Sequence, residues 1–156
     1  MATLTVTHTE NIVLNGRQQG STQTMRIPNI TQTYSRIIQS GANAAISLYT
    51  TSNTGSGGAV FDDGSVKYVR ITNLAKESLV INIKAEGTFA SAYEIGSNQS
   101  YYLYSHNLCF FADDADAITG AEMKNSLEDI DDVQAICLRS ALKVELFIAS
   151  EAPHPL

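Results

Sequence analysis

The sequence has no tryptophan, only three prolines and only two cysteines in 156 residues. Two thiols cannot build a disulfide scaffold, and Cys109 and Cys137 are expected to be reduced, buried and inert. A structural metal would need further ligands. His8, His106 and His154 are the only histidines, and none stands at ligand spacing. Charge is also scarce. Charged residues make up 17% of the chain, below the usual quarter, which argues against long disordered tracts. The ten basic residues are scattered from Arg17 to Lys143, and the net charge is -6 with a pI near 4.9. A freestanding duplex-DNA binder needs clustered Lys and Arg, so direct nucleic-acid binding is not expected. No apolar run approaches the ~18 residues of a membrane helix, so no membrane partner is expected. The first residues, Met1-Ala2-Thr3-Leu4-Thr5-Val6, lack a basic and an apolar signal region. The expectation is a chain made and retained in a cytosol. The glycosylation sequons Asn29-Ile30-Thr31 and Asn98-Gln99-Ser100 then read as coincidence.

Catalytic constellations are missing too. There is no Gly-x-Ser-x-Gly elbow, and no histidine stands beside a candidate Ser or Cys. Gly55-Ser56-Gly57-Gly58 has the composition of a phosphate loop but no following Lys-Ser/Thr. Asp113, Asp114 and Asp116 could supply oxygen ligands to calcium, but Gly120 stands at the wrong place for an EF-hand. A solvated acidic loop is the better reading. No cofactor is implied.

What the sequence does have is period-two alternation in short runs, broken by turn residues. Residues 11–14 lead into Asn15-Gly16, a type I′ hairpin signal. Residues 22–27 alternate and are expected to end at Pro28. In residues 44–51, Ala44, Ile46 and Leu48 should share one face, with Ser47 and Tyr49 on the other. Val66 to Asn73 and residues 79–84 read as one antiparallel hairpin around 74–78. Residues 89–95, 100–105 and 108–112 are further strand candidates. Residues 113–132 break the rhythm; they are acidic, with room for one helical turn around 120–127. Residues 133–140 and 142–149 read as a closing hairpin.

Eight to ten short strands and almost no helix predict an all-β chain, an antiparallel β-sandwich of jelly-roll-like or immunoglobulin-like type. One domain is expected at this length. Residues 1–30, Thr- and Gln-rich, read as an extended N-terminal arm or edge hairpin. Residues 31–150 form the sandwich, and 151–156 a Pro-containing tail.

Val66-Lys67-Tyr68-Val69-Arg70-Ile71-Thr72-Asn73-Leu74 followed by residues 79–84 resembles a hairpin found in small virion proteins of tailed bacteriophages. Tyr93-Glu94-Ile95, the Gly96-Ser97-Asn98 turn, the strand at 101–104 and the closing residues 143–150 are similar to the later strands of those proteins. The likeness covers about residues 58–150, and it carries no functional residues across. It implies a non-enzymatic structural protein of the virion. A head decoration (cement) protein bridging major capsid subunits comes first, and a tail, baseplate or fibre-associated protein second. It would be a symmetric homo-oligomer, such as a trimer, on the capsid surface. The expected contact residues are Val6, Ile12, Leu14, Met25 and Ile27 in the arm, with Tyr102 and Tyr104 in the tyrosine strand. A carbohydrate-binding module using the Tyr102/Tyr104 face is the reading from a different class.

Overall fold

The computed structural model describes residues 1–50, 59–61, 65–85, 90–104, 109–111 and 127–151. These residues form strands and turns, and no helix is found among them. Of the acidic segment expected at 113–132, residues 113–126 lie outside the described residues, as do the glycine-rich 52–58, His106 and the tail after Glu151; residues 127–132 are strand instead of insert, with Ile130 buried in the core.

The arm is built from β1 (Ala2–Thr9), β2 (Val13–Leu14), β3 (Arg17–Gln18) and β4 (Thr22–Ile30). Then come β5 (Gln32–Ser40), β6 (Ile46–Thr50), β7 (Ala59–Val60), β8 (Val66–Asn73) and β9 (Leu79–Ala85). The last are β10 (Ala90–Ile95), β11 (Ser100–Tyr104), β12 (Cys109–Phe111), β13 (Leu127–Ile136) and β14 (Leu142–Ser150). One antiparallel layer has the order β11-β8-β14-β5. The other has β10-β9-β13-β6, with β7 added in parallel to β6 and β12 paired to the start of β13. The chain is thus a β-sandwich.

The strand order corrects two expectations. β8 and β9 are not hairpin partners, and neither are β13 and β14. Each pair straddles the two sheets, and so do β5/β6 and β10/β11. Four ribbons wrap side by side over the core, which is the jelly-roll arrangement. The reason is that both strands of each pair carry an apolar stripe. Val69 and Ile71 of β8 and Leu79 and Ile81 of β9 are all fully buried in one cluster. A hairpin folded over the core seals both stripes against each other, whereas a flat hairpin would leave them side by side.

The corners that make this fold-over are tight, and one side chain organises two of them. Asn73, fully buried, donates from Nδ2 to the carbonyls of Glu77 (2.9 Å) and Ile95 (3.0 Å). Its Oδ1 accepts from the Ala75 N–H at 2.8 Å. Its backbone accepts from Asn98 and donates to Gln99, both at 2.9 Å. The β8/β9 and β10/β11 corners are therefore tied together through one amide. Both donors of the side chain and its carbonyl oxygen are used, so its burial is compensated.

Two further differences are local. Leu48 and Tyr49 do not point to opposite faces; both are fully buried in the main cluster. The β6–β13 ladder shifts register there, Tyr49 facing Val133 and Ser47 facing Gln134. The extra residue is a β-bulge, which cancels the alternation for one step. Strand β4 also runs past Pro28 to Ile30. A register shift in the β1–β4 ladder at Ala2/Leu4 and a left-handed Asn29 (φ 63°) mark this point. Proline is tolerated in a strand at such an irregularity, where regular pairing is already interrupted. Strand β5 has no counterpart in the sequence reading. Only Tyr34 and Ile38 of its nine residues pack on the core, so its alternation is faint.

Asn73→Ala should lower stability by about 3 kcal/mol, because it strands two buried carbonyls and one N–H. Equilibrium urea unfolding followed by circular dichroism measures this. A loss below about 1 kcal/mol would mean the corners hold without it.

Candidate interaction surface

The β11-β8-β14-β5 sheet has apolar groups on both faces. Val69, Ile71, Val144, Leu146 and Ile148 point into the sandwich. On the reverse face the cross-strand pairs Ala149↔Tyr68, Phe147↔Arg70, Tyr102↔Arg70 and Tyr104↔Tyr68 build an aromatic surface. Tyr68 and Phe147 rings meet at 6.1 Å, and the Arg70 guanidinium lies 5.7 Å over the Phe147 ring while pairing with Glu145. The outer side of the other sheet differs. It carries polar groups, including Asp132 bonded by Ser47 and by Gln134 at 2.6 Å.

The arm covers the aromatic face. β1 pairs antiparallel with β4, Leu4 facing Ile27 and Val6 facing Met25. Period-two alternation puts those four side chains on one side of the hairpin, and they pack around Ile30, Tyr68, Ala149 and Phe147. His8 continues the same phase and meets Tyr102 edge-on at 5.0 Å. The other side of the hairpin carries Thr and Arg26 toward solvent. Half-burying four aliphatic side chains contributes roughly 3–5 kcal/mol before the entropy of ordering the arm is subtracted.

Beyond His8 the hairpin leaves the sheet. Asn15 (φ 52°) and Gly16 (φ 72°) make the turn, with the positive φ at both positions that a type I′ turn needs. At Gly20 a side chain would fall 1.9 Å from the Glu10 carbonyl oxygen, so only glycine fits. The tip holds Ile12, Val13 and Leu14, which are 53%, 66% and 51% exposed. Three consecutive apolar residues on a projecting turn bury little in their own molecule.

The expected contact residues are therefore divided by the structure. Val6, Met25 and Ile27 face the chain's own sheet, and Tyr102 is partly covered by His8. Ile12 and Leu14 stand free at the tip, and Tyr104 is 51% exposed. Tyr104 flanks a cleft of about 500 Å³ between the arm and the sandwich, with Met25, Ile27, Pro28 and Lys67 among its lining. Lys67 and Glu151 pair across its floor at 3.7 Å. Sequence alone gave no sign of this cleft, because it forms only when the arm folds back. Among the described residues no group of three or more His, Cys, Asp or Glu could hold a metal. Cys137 is a free, buried thiol within 3.4 Å of the Ser78 carbonyl and 3.3 Å of the Ser140 hydroxyl.

Tyrosine titration tracks the burial. The Tyr101 phenol is pushed up to about 12 by burial and by the neighbouring Tyr93. Tyr68 is raised by burial under the arm and by Tyr102, and Tyr49 is raised by burial and by Asp132.

Comparison with protein-family models, with curated proteins and with solved structures returns no match.

Gly20→Ala should loosen the arm while leaving the sandwich folded. Hydrogen–deuterium exchange would show faster exchange across β1 and β4, with β8 and β14 backbones still protected; equal protection of the arm would contradict the close approach. In alkali, tyrosines with raised folded pKa values favour the native state fully below the unfolded value. That contribution is lost as pH rises from about 10 toward 12. Unfolding should accompany tyrosinate absorbance in that window, and a titration midpoint at the free-tyrosine value with no unfolding would count against it.

Proposed function

We propose that the chain is a non-enzymatic structural subunit of a bacteriophage virion, a head decoration protein that clamps major capsid subunits. The single observation that carries this reading is the arm. It is a hairpin rooted on the chain's own sheet whose tip, Ile12-Val13-Leu14, is apolar and exposed. Exposed apolar patches on soluble chains mark contact sites. The jelly roll adds support by analogy alone, since viral capsid domains and lectins both use it. The resemblance of residues 58–150 to small virion proteins points the same way.

The mechanism is mass action. A clamp that binds the assembled lattice but not its separated subunits stabilises the lattice. Modest contacts suffice, because a homo-oligomer presents several tips at high effective concentration. The protein is made in the host cytoplasm and resides on the capsid surface. A tail or baseplate position uses the same tip chemistry and differs in copy number. The carbohydrate-binding alternative draws on Tyr104 beside the 500 Å³ cleft. It loses part of its platform, since His8 of the arm already packs on Tyr102.

The test is quantitative mass spectrometry of purified particles. Hundreds of copies per particle support head decoration, a handful supports the tail position, and none contradicts both. On particles, deletion of residues 2–27 or Ile12→Asp with Leu14→Asp should reduce occupancy at least about tenfold, as three buried aliphatic side chains at ~1 kcal/mol each imply. Undiminished occupancy would remove the tip from the contact.

A further inference from the structure

We propose that the cleft between the β8/β9 and β13/β14 corners is a docking site for an acidic segment of another protein, one that carries an aliphatic side chain between carboxylates. The site is separate from the arm tip and stands or falls apart from the virion reading.

Three stretches of chain meet there: the end of β5 with Gly41, the β8/β9 corner and the β13/β14 corner. They enclose a cleft of about 660 Å³. Leu74, Ala75 and Ala141 supply apolar lining, Lys76 and Lys143 supply positive charge, and Ser140 supplies a hydroxyl. A concave, largely apolar surface with a few polar groups is the usual make-up of a ligand site. The rim repeats the chemistry, with Leu138 58% exposed and Arg139 beside it exposed as well.

The walls are tied to one another. The Leu74 N–H donates to the Lys143 carbonyl at 2.9 Å, and the Asn43 N–H donates to the Cys137 carbonyl at 2.9 Å. Asn73 fixes the β8/β9 corner through its buried amide. A cleft held this way exists before its ligand arrives, so little ordering entropy opposes binding. Gly41 keeps the mouth open, because nothing lies within 4 Å of where its side chain would stand.

Charge selects the occupant. Residues 39–45, 73–78 and 137–143 hold Lys76, Arg139 and Lys143 against Glu77 alone, a net +2 on a chain of net -6. Lys76 and Lys143 are exposed, and among the described residues neither pairs with a carboxylate. Glu145, two residues along β14 from Lys143, is already paired with Arg70. Carboxylates of a partner are attracted here, and basic groups are repelled. A nucleic-acid backbone calls for more cations than these. A membrane surface takes up protruding apolar groups, whereas Ala75 is 7% exposed and recessed.

An extended acidic segment sets its aliphatic side chain on Leu74, Ala75 and Ala141 and its carboxylates beside Lys76 and Lys143. Burial of that side chain supplies affinity, and the exposed ion pairs supply selection and salt dependence.

The test is titration of the full isotope-labelled chain, followed by amide chemical shifts, with three blocked peptides: Glu-Glu-Leu-Glu-Glu, Lys-Lys-Leu-Lys-Lys and Glu-Glu-Ser-Glu-Glu. The first should move the amides of Gly41, Lys76 and Ser140 saturably, and added salt should weaken it. The other two should bind at least about fivefold more weakly. Lys76→Glu with Lys143→Glu, both at exposed sites and checked for an unchanged circular dichroism spectrum, should weaken binding about tenfold or more. Arg17→Glu, a charge reversal on the arm, should leave it unchanged. No saturable shift at these amides, equal shifts with the lysine peptide, or a preference for phosphatidylserine vesicles over the acidic peptide would overturn the proposal.

Discussion

One constraint organises this molecule: the β11-β8-β14-β5 sheet has an apolar inner face and, around Tyr68, Phe147 and Ala149, an apolar patch on its outer face as well. A two-layer sandwich can bury only one of them. Val69, Ile71, Leu146 and Ile148 take the inner side, which leaves Tyr68, Phe147 and Ala149 facing outward. The arm closes that side. Its Leu4, Val6, Met25 and Ile27 supply the missing apolar layer, so the described residues are three layers deep where the arm lies. The outer side of the opposite sheet carries Asp132, Gln134 and Asn82 beside Val80 and Ile136.

The proposed subunit contact rests on the surface this closure leaves open. An arm needed only as a cover could stop at His8. Instead the hairpin continues through Asn15-Gly16 and carries Ile12, Val13 and Leu14 into solvent. That exposed apolar tip is the feature on which the proposed contact with other subunits rests.

Much of this was legible in the sequence. Alternation in β8 and β14 marked strands with the correct inner residues, and Asn15-Gly16 marked the turn at the arm tip. Strand pairing was not legible, because alternation tells which residues share a face but not which strand lies alongside. Val66 to Asn73 followed by 79–84 has the pattern of a flat hairpin; the buried amide of Asn73 makes it a corner instead, and one asparagine at a strand end carries no such signal. The bulge at Leu48 hid for a similar reason, since only the partner strand defines it. Of the contact residues read from the sequence, Val6 and Met25 are apolar and regularly spaced, as a partner-binding stripe would be. That spacing is equally what docking on the chain's own sheet requires. Ile12 and Leu14, beside the turn, had no strand long enough to commit them elsewhere.

The most direct measurement is isotope-filtered nuclear Overhauser spectroscopy on a mixture of labelled and unlabelled chains. The account predicts contacts within one molecule from the Val6, Met25 and Ile27 side chains to the Phe147 and Tyr68 rings. Absence of these contacts, or their appearance only between labelled and unlabelled molecules, would contradict an arm that closes its own sheet.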